Sequence, residues 1–168
     1  MVRETRMSPQ SLILPLFLQE GEKICSPIPS LPGHFHYSPD EVSRGIEEAL
    51  SHGINKFLLF GRPASKDPEG SGAYAEDGIV QQGLRAIRQK YGKEVYLITD
   101  VCMCEYTSHG HCGILCGETV DNDKTLPYLS RTALSHVQAG ADMVAPSDMM
   151  DGRVAALRQA LDEHGFEN

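Results

Sequence analysis

One alternation runs through the chain four times: a short apolar run, a polar loop, then an amphipathic stretch closed by glycine. The runs are "LILPLFL" (12–18), "INKFLLFG" (54–61), "EVYLITDV" (94–101) and "DMVAPS" (142–147). The helical stripes are Val42, Ile46, Ala49 and Leu50, then Val80, Leu84, Ile87 and Tyr91, then Leu126, Leu129, Ala133 and Val137, then Val154, Leu157 and Leu161. Gly53, Gly92, Gly140 and Gly165 supply the stops. In "SPDE", Ser38 is the expected N-cap, Pro39 the first helical residue and Glu41 the partner of a capping box. Strands separated by helices must run parallel, because a parallel connection needs a crossover. The strands are apolar almost throughout, as when both faces are covered. An open doubly wound sheet and a β/α barrel both satisfy this pattern. Four units over 12–165 form one α/β domain spanning 1–168. Only "FEN" follows Gly165, where a fifth strand would begin, so the expectation is a chain cut partway through its fold.

A chain of 168 residues can bury a substantial core. Its 23 acidic against 15 basic side chains give a net charge of -8, which repels phosphate backbones and argues against nucleic acid as a partner. "MVRETRMSPQ" lacks the apolar run of a signal peptide, and no apolar run is long enough to span a bilayer. A cytoplasmic protein with reduced thiols is expected. Five cysteines, an odd number, also fit a closed disulfide framework poorly.

Three of those cysteines crowd into "DVCMCEYTSHGHC" (100–112), the start of a loop running over 102–124. Cys102 and Cys104 are two apart, so both thiols would point the same way if the segment is extended. Cys112 returns through a reversal that Gly110 and Gly113 permit. Three converging thiolates suit zinc and leave a fourth position open for water or substrate. Reduced core thiols and a redox pair are the alternatives. Cys116, His109 or His111 could add a fourth ligand, or the histidines could line a pocket. Cys25 reads as an incidental thiol.

Asp100 ends the third strand and Ser147 the fourth, at the end of a parallel sheet where active sites form. Asp100 could orient a bound water or accept a proton; Ser147 could hydrogen-bond a carboxylate or water. A turn-forming carboxylate and a capping hydroxyl explain them equally well. Asp148 and Asp151 read as caps near a helix start, with Arg153 as an ion-pair partner. "SKDPEGSGAYAEDG" lacks the spacing of a phosphate loop and reads as polar surface, with a local Lys66–Asp67 salt bridge.

"SPQSLILPLF", "SKDPEGSGAYAEDGIVQ", "ITDVCMCEYTSHGHCGIL" and "GADMVAPSDMMDGRV" resemble the porphobilinogen synthase family, also called 5-aminolevulinate dehydratase. The resemblance runs in order through nearly the whole chain. It implies a (β/α)8 TIM barrel about twice this long, of which the chain is the N-terminal half. It implies condensation of two 5-aminolevulinate molecules to porphobilinogen with loss of water. The C-x-C-x7-C pattern of its zinc-dependent members assigns Cys102, Cys104 and Cys112 as ligands of a Zn2+ that activates the second substrate molecule. The resemblance also implies Schiff-base lysines and most substrate-carboxylate contacts, all in the second half. None of the six lysines, Lys23, Lys56, Lys66, Lys90, Lys93 and Lys124, matches a reactive one. An isolated chain of this length should therefore be inactive. The family's homo-oligomer, typically an octamer, uses an arginine-rich arm of which residues 1–11 would be a remnant. An allosteric Mg2+ belongs to the full-length family, with no site identifiable here. The competing reading is a non-catalytic zinc-binding or thiol redox-sensing module.

Overall fold

A computed structural model of the chain describes residues 4–167; residues 1–3 of the expected arm remnant, and Asn168, lie outside them. In chain order the elements are β1 (Leu14–Gln19), β2 (Cys25–Pro27), β3 (Phe35–Tyr37), α1 (Ser43–Ser51), β4 (Lys56–Arg62), α2 (Ile79–Tyr91), β5 (Tyr96–Val101), β6 (Leu115–Cys116), β7 (Thr119–Val120), α3 (Asn122–Ala139), β8 (Met143–Pro146) and α4 (Arg153–Glu163). The main sheet has the order β2-β3-β1-β4-β5-β8. Its neighbours β1, β4, β5 and β8 are the four expected strands, all parallel. Two further strands emerge from what reads as a Pro-rich loop: β3 lies parallel to β1, and β2 antiparallel to β3. Each has three residues, too short for alternation to show in a sequence. No helix among the described residues is long and apolar enough to cross a membrane.

The core lies between this sheet and its helices. Leu16, Leu18, Phe57, Leu59 and Leu97 bury against Ile46, Ile79, Leu84 and Ile87. Strand alternation turns Phe17, Leu58 and Phe60 to the other face, where they are only partly buried. The apolar character of β1 and β4 thus supplies one core and a second, less covered surface.

Two expected details are corrected. The helix α1 begins at Ser43, not at Pro39, and Val42 at its N-cap makes no side-chain bond. The buried Ser38 hydroxyl instead accepts the Ile24 N–H at 2.9 Å, while its carbonyl takes the N–H groups of Glu41 and Val42. A tertiary contact has claimed the side chain that local pattern assigns to capping. In α4, Leu157 and Leu161 are buried but Val154 is 65% exposed, so it stands outside the core stripe. The stop glycine of α3 behaves as expected, with Gly140 in the left-handed region at φ 117.

His136 on α3 is a buried base whose Nδ1 lies 3.0 Å from Thr99 Oγ1 of β5. Burial lowers its pKa from 6.5 to about 3. The folded chain therefore keeps it neutral where the unfolded chain takes up a proton. Its contribution to stability is complete above pH 6.5 and is lost as pH falls toward 3. In urea titrations, lowering the pH from 7 to 5 should cost the native chain about 2 kcal/mol more than His136→Gln. Parallel pH curves for the two would remove this contribution.

Candidate metal centre

The strand β5 delivers Asp100 and Val101 to the C-terminal end of the sheet, and Cys102 follows directly. From there the chain coils. The N–H groups of Tyr106 and Thr107 both donate to the Met103 carbonyl, each at 2.9 Å. The segment is thus a turn, not the extended stretch that its C-x-C spacing evokes. Met103 is fully buried against Val101, Leu129 and Ala133, and Tyr106 is buried over Gly61 of β4. These two anchors leave Cys104 facing its neighbour. Gly110 takes the left-handed conformation at φ 76, and the Thr107 hydroxyl donates to the His111 carbonyl at 2.8 Å, turning the chain back toward Cys112. Gly113 serves by its size: a Cβ there would overlap Thr125 and Val120.

The three sulfurs converge as expected. Cys102, Cys104 and Cys112 offer sulfurs that all lie within 4.8 Å of one another, with Cys102 and Cys104 at 3.4 Å. Tetrahedral zinc with sulfurs at its usual bond length separates them by about 3.8 Å. A disulfide needs a far shorter contact, and all five cysteines are free. The donor set and spacing therefore fit a soft or borderline cation. Burial pushes the Cys102 thiol up to about 12. Cys104 is raised further by burial and by its hydrogen bond to the Glu105 carboxylate at 3.2 Å. A cation binding here must displace protons, so its affinity should rise with pH.

The other candidates separate cleanly. Cys116 lies on β6, exposed and 3.9 Å from Lys124 Nζ, outside the sulfur cluster. His109 accepts the His111 N–H on Nδ1 at 3.2 Å and directs Nε2 at the Pro68 carbonyl at 3.1 Å. It thereby ties the cysteine loop to the loop after β4. A second tie was not legible in the sequence: the Ser108 N–H donates to the Asp67 carbonyl, and Asp67 N–H to that of Tyr106. The Asp67 carboxylate accepts from the Ser71 hydroxyl and the Glu69 N–H, at 2.5 and 2.8 Å. It caps a turn and does not pair with Lys66.

Asp100 lies opposite Ala145 in the β5–β8 register, and Ser147 follows the end of β8. Burial raises the Asp100 carboxyl to about 6, opposed by a hydrogen bond from Ser147. Both therefore sit at the mouth beside the cysteines, Ser147 exposed and Asp100 half-buried. Asp148 does not cap α4, whose N-cap Gly152 has no side-chain bond; it accepts the Met150 N–H at 2.7 Å in the preceding turn, and Arg153 Nε approaches it at 3.4 Å. Asp151 is held through its backbone, its N–H donating to Asn122 Oδ1 at 2.7 Å. A further feature escaped sequence reading: Phe17, His36, Phe60, Arg62, Lys66 and Glu105 surround one pocket at the ends of β1 and β4.

Parallel strands with helical crossovers, and a cluster of three thiols at the C-terminal end of β5 that could hold a metal ion, define a β/α protein with a candidate metal centre. The description "Delta-aminolevulinic acid dehydratase" belongs to the family model that matches residues 1–168, and the chain is a member of that family. The delta-aminolevulinic acid dehydratase of Ruminiclostridium josui is 62% identical over 165 residues, covering 98% of this chain and 80% of that protein. Its counterpart from Archaeoglobus fulgidus is 47% identical over 168 residues, covering all of this chain but 52% of the relative. A crystal structure of the Toxoplasma gondii enzyme, in complex with its reaction product porphobilinogen, superposes with a TM-score of 0.93 at 38% identity. The match covers 98% of this chain and 47% of that one. The fold is thus that of about half of a (β/α)8 barrel, and the chain spans about half the length of most of these relatives.

Proposed function

We propose that this chain carries the metal-binding part of a porphobilinogen synthase, which joins two 5-aminolevulinate molecules into porphobilinogen with loss of water. The observation that carries this reading is the convergence of Cys102, Cys104 and Cys112 at the C-terminal end of β5. The relatives' shared name and the product held by the Toxoplasma gondii enzyme support the choice of substrate. Zinc is the ion that the three thiolates would hold, and it would supply a Lewis acid to an incoming substrate oxygen or nitrogen. Asp100 would take or hold a proton beside the cluster, and Ser147 would orient a substrate carboxylate or water. The same reading carries a cytoplasmic enzyme that works as a homo-oligomer.

The amines of this chain do not supply Schiff-base chemistry, which needs a desolvated lysine. Lys56 donates to the Gln10 carbonyl at 2.9 Å, at the opposite end of the strands. Lys90, Lys93 and Lys124 pair with Glu47, Asp142 and Asp121. Lys23 and Lys66 are exposed. The 168-residue chain alone should therefore yield no porphobilinogen from 5-aminolevulinate. Grafted into the Archaeoglobus fulgidus relative in place of its matching residues, the same chain should yield an active enzyme. A graft that folds and takes up zinc yet makes no porphobilinogen would contradict the reading.

A further inference from the structure

Between the second and third sulfurs of the cluster the chain runs through residues 105–111, and this span leans on one turn of the loop after β4. Asp67 and Thr107 form a parallel bridge between the two loops. The Asp67 N–H donates to the Tyr106 carbonyl at 3.3 Å, and the Ser108 N–H to the Asp67 carbonyl at 2.9 Å. One residue further along each loop, His109 Nε2 meets the Pro68 carbonyl at 3.1 Å. The turn also packs against the span. Gly70 is left-handed at φ 61, and a Cβ there would meet Thr107, Met103 and Tyr106 at 3.2, 3.4 and 3.4 Å. What shapes the turn is the Asp67 carboxylate. It accepts the Ser71 hydroxyl at 2.5 Å, the Glu69 N–H at 2.8 Å and the Ser71 N–H at 3.1 Å.

The backbone of Asp67 thus holds the cysteine loop, while its side chain holds that backbone. We propose that Asp67 is a positioning residue of the metal centre: without touching the ion, it sets in advance the span that delivers Cys112 to Cys102 and Cys104. The inference rests on the reading of the trio as a zinc site and adds to it a residue from another strand's loop. Cys102 follows β5 directly, and Cys104 sits between the buried anchors Met103 and Tyr106. Cys112 has no such support. It comes after Gly110, a residue with wide backbone freedom, so its place depends on what holds the chain upstream. A ligand arm that must be ordered at the moment of binding loses affinity to conformational entropy, and an arm already held does not. The coupling is reciprocal: if the ordered turn favours zinc, zinc favours the ordered turn.

Zinc affinity of the 168-residue chain, read by competition with a chromophoric chelator, tests this. Asp67→Ala should weaken zinc binding by on the order of tenfold, the scale of loss when groups that orient metal ligands are removed. Asp67→Asn keeps one accepting oxygen and should recover part of that loss. The urea midpoint of both variants without zinc should match the native chain, because the turn lies outside both core clusters. Zinc should also slow hydrogen exchange at the amides of Glu69 and Ser71, which donate to Asp67 and not to the sulfurs. Native zinc affinity in Asp67→Ala, exchange at Glu69 and Ser71 indifferent to zinc, or a urea midpoint that falls in step with affinity would overturn the proposal. Should Cys104→Ala keep its zinc, the reading of the trio fails and this inference with it. Should Cys104→Ala lose zinc while Asp67→Ala binds it like the native chain, the positioning role alone fails.

Discussion

Cys104→Ala is expected to reduce zinc from one equivalent per chain to less than about a tenth after dialysis against weak chelator, since two thiolates make a poor site. Cys104 is the test of choice because its sulfur sits 3.4 Å from that of Cys102 and inside the cluster with Cys112. The change also removes a side chain on a turn whose backbone is held by Met103 and Tyr106, so the loop should keep its path. Cys116→Ala is the matched control. Its sulfur is on the β6–β7 hairpin beside Lys124, and zinc content should stay at one equivalent. Elemental analysis of both variants reads the result. Loss of zinc from Cys116→Ala as well would mean a closed four-sulfur site, and with it a structural role.

Gly61→Ala should destabilise the chain by about 3 kcal/mol, at the upper end of overpacking effects. A Cβ at this point of β4 overlaps the Tyr106 hydroxyl and crowds Val80 and Ile79. Tyr106 is two residues from Cys104, so zinc affinity should fall together with the urea midpoint. Tyr106→Phe removes the overlapping hydroxyl and should recover a good part of both losses in the double variant. That coupling is the signature of contact between the two residues. Additive losses would place the strain elsewhere.

How far such features could be read in advance depends on how local their causes are. The four parallel strands were legible because each is an apolar run followed by a helical stripe and a glycine, all within one stretch of chain. The strands β2 and β3 were not, since three residues carry no period and their pairing is supplied by β1. Ser38 illustrates the same limit. Its place before Pro39 has the local form of a cap, but the Ile24 N–H fourteen residues away claims its hydroxyl. The convergence of the three cysteines was legible from their spacing and the flanking glycines, but its route was not. An extended segment would also put Cys102 and Cys104 on one side, yet the structure uses a turn pinned by Met103 and Tyr106. The pocket of Arg62, Lys66 and Glu105 could not be found from sequence, because it exists only once the β1–β4 register sets Phe17 against Phe60.

Zinc-edge X-ray absorption of the loaded chain measures the coordination shell itself. A shell of three sulfurs near 2.3 Å with one lighter oxygen or nitrogen atom is the predicted result. It would mean that the trio after β5 grips the ion and keeps one position exchangeable. Four sulfurs, or a shell of nitrogen and oxygen alone, would contradict the assignment of Cys102, Cys104 and Cys112 as an open catalytic centre.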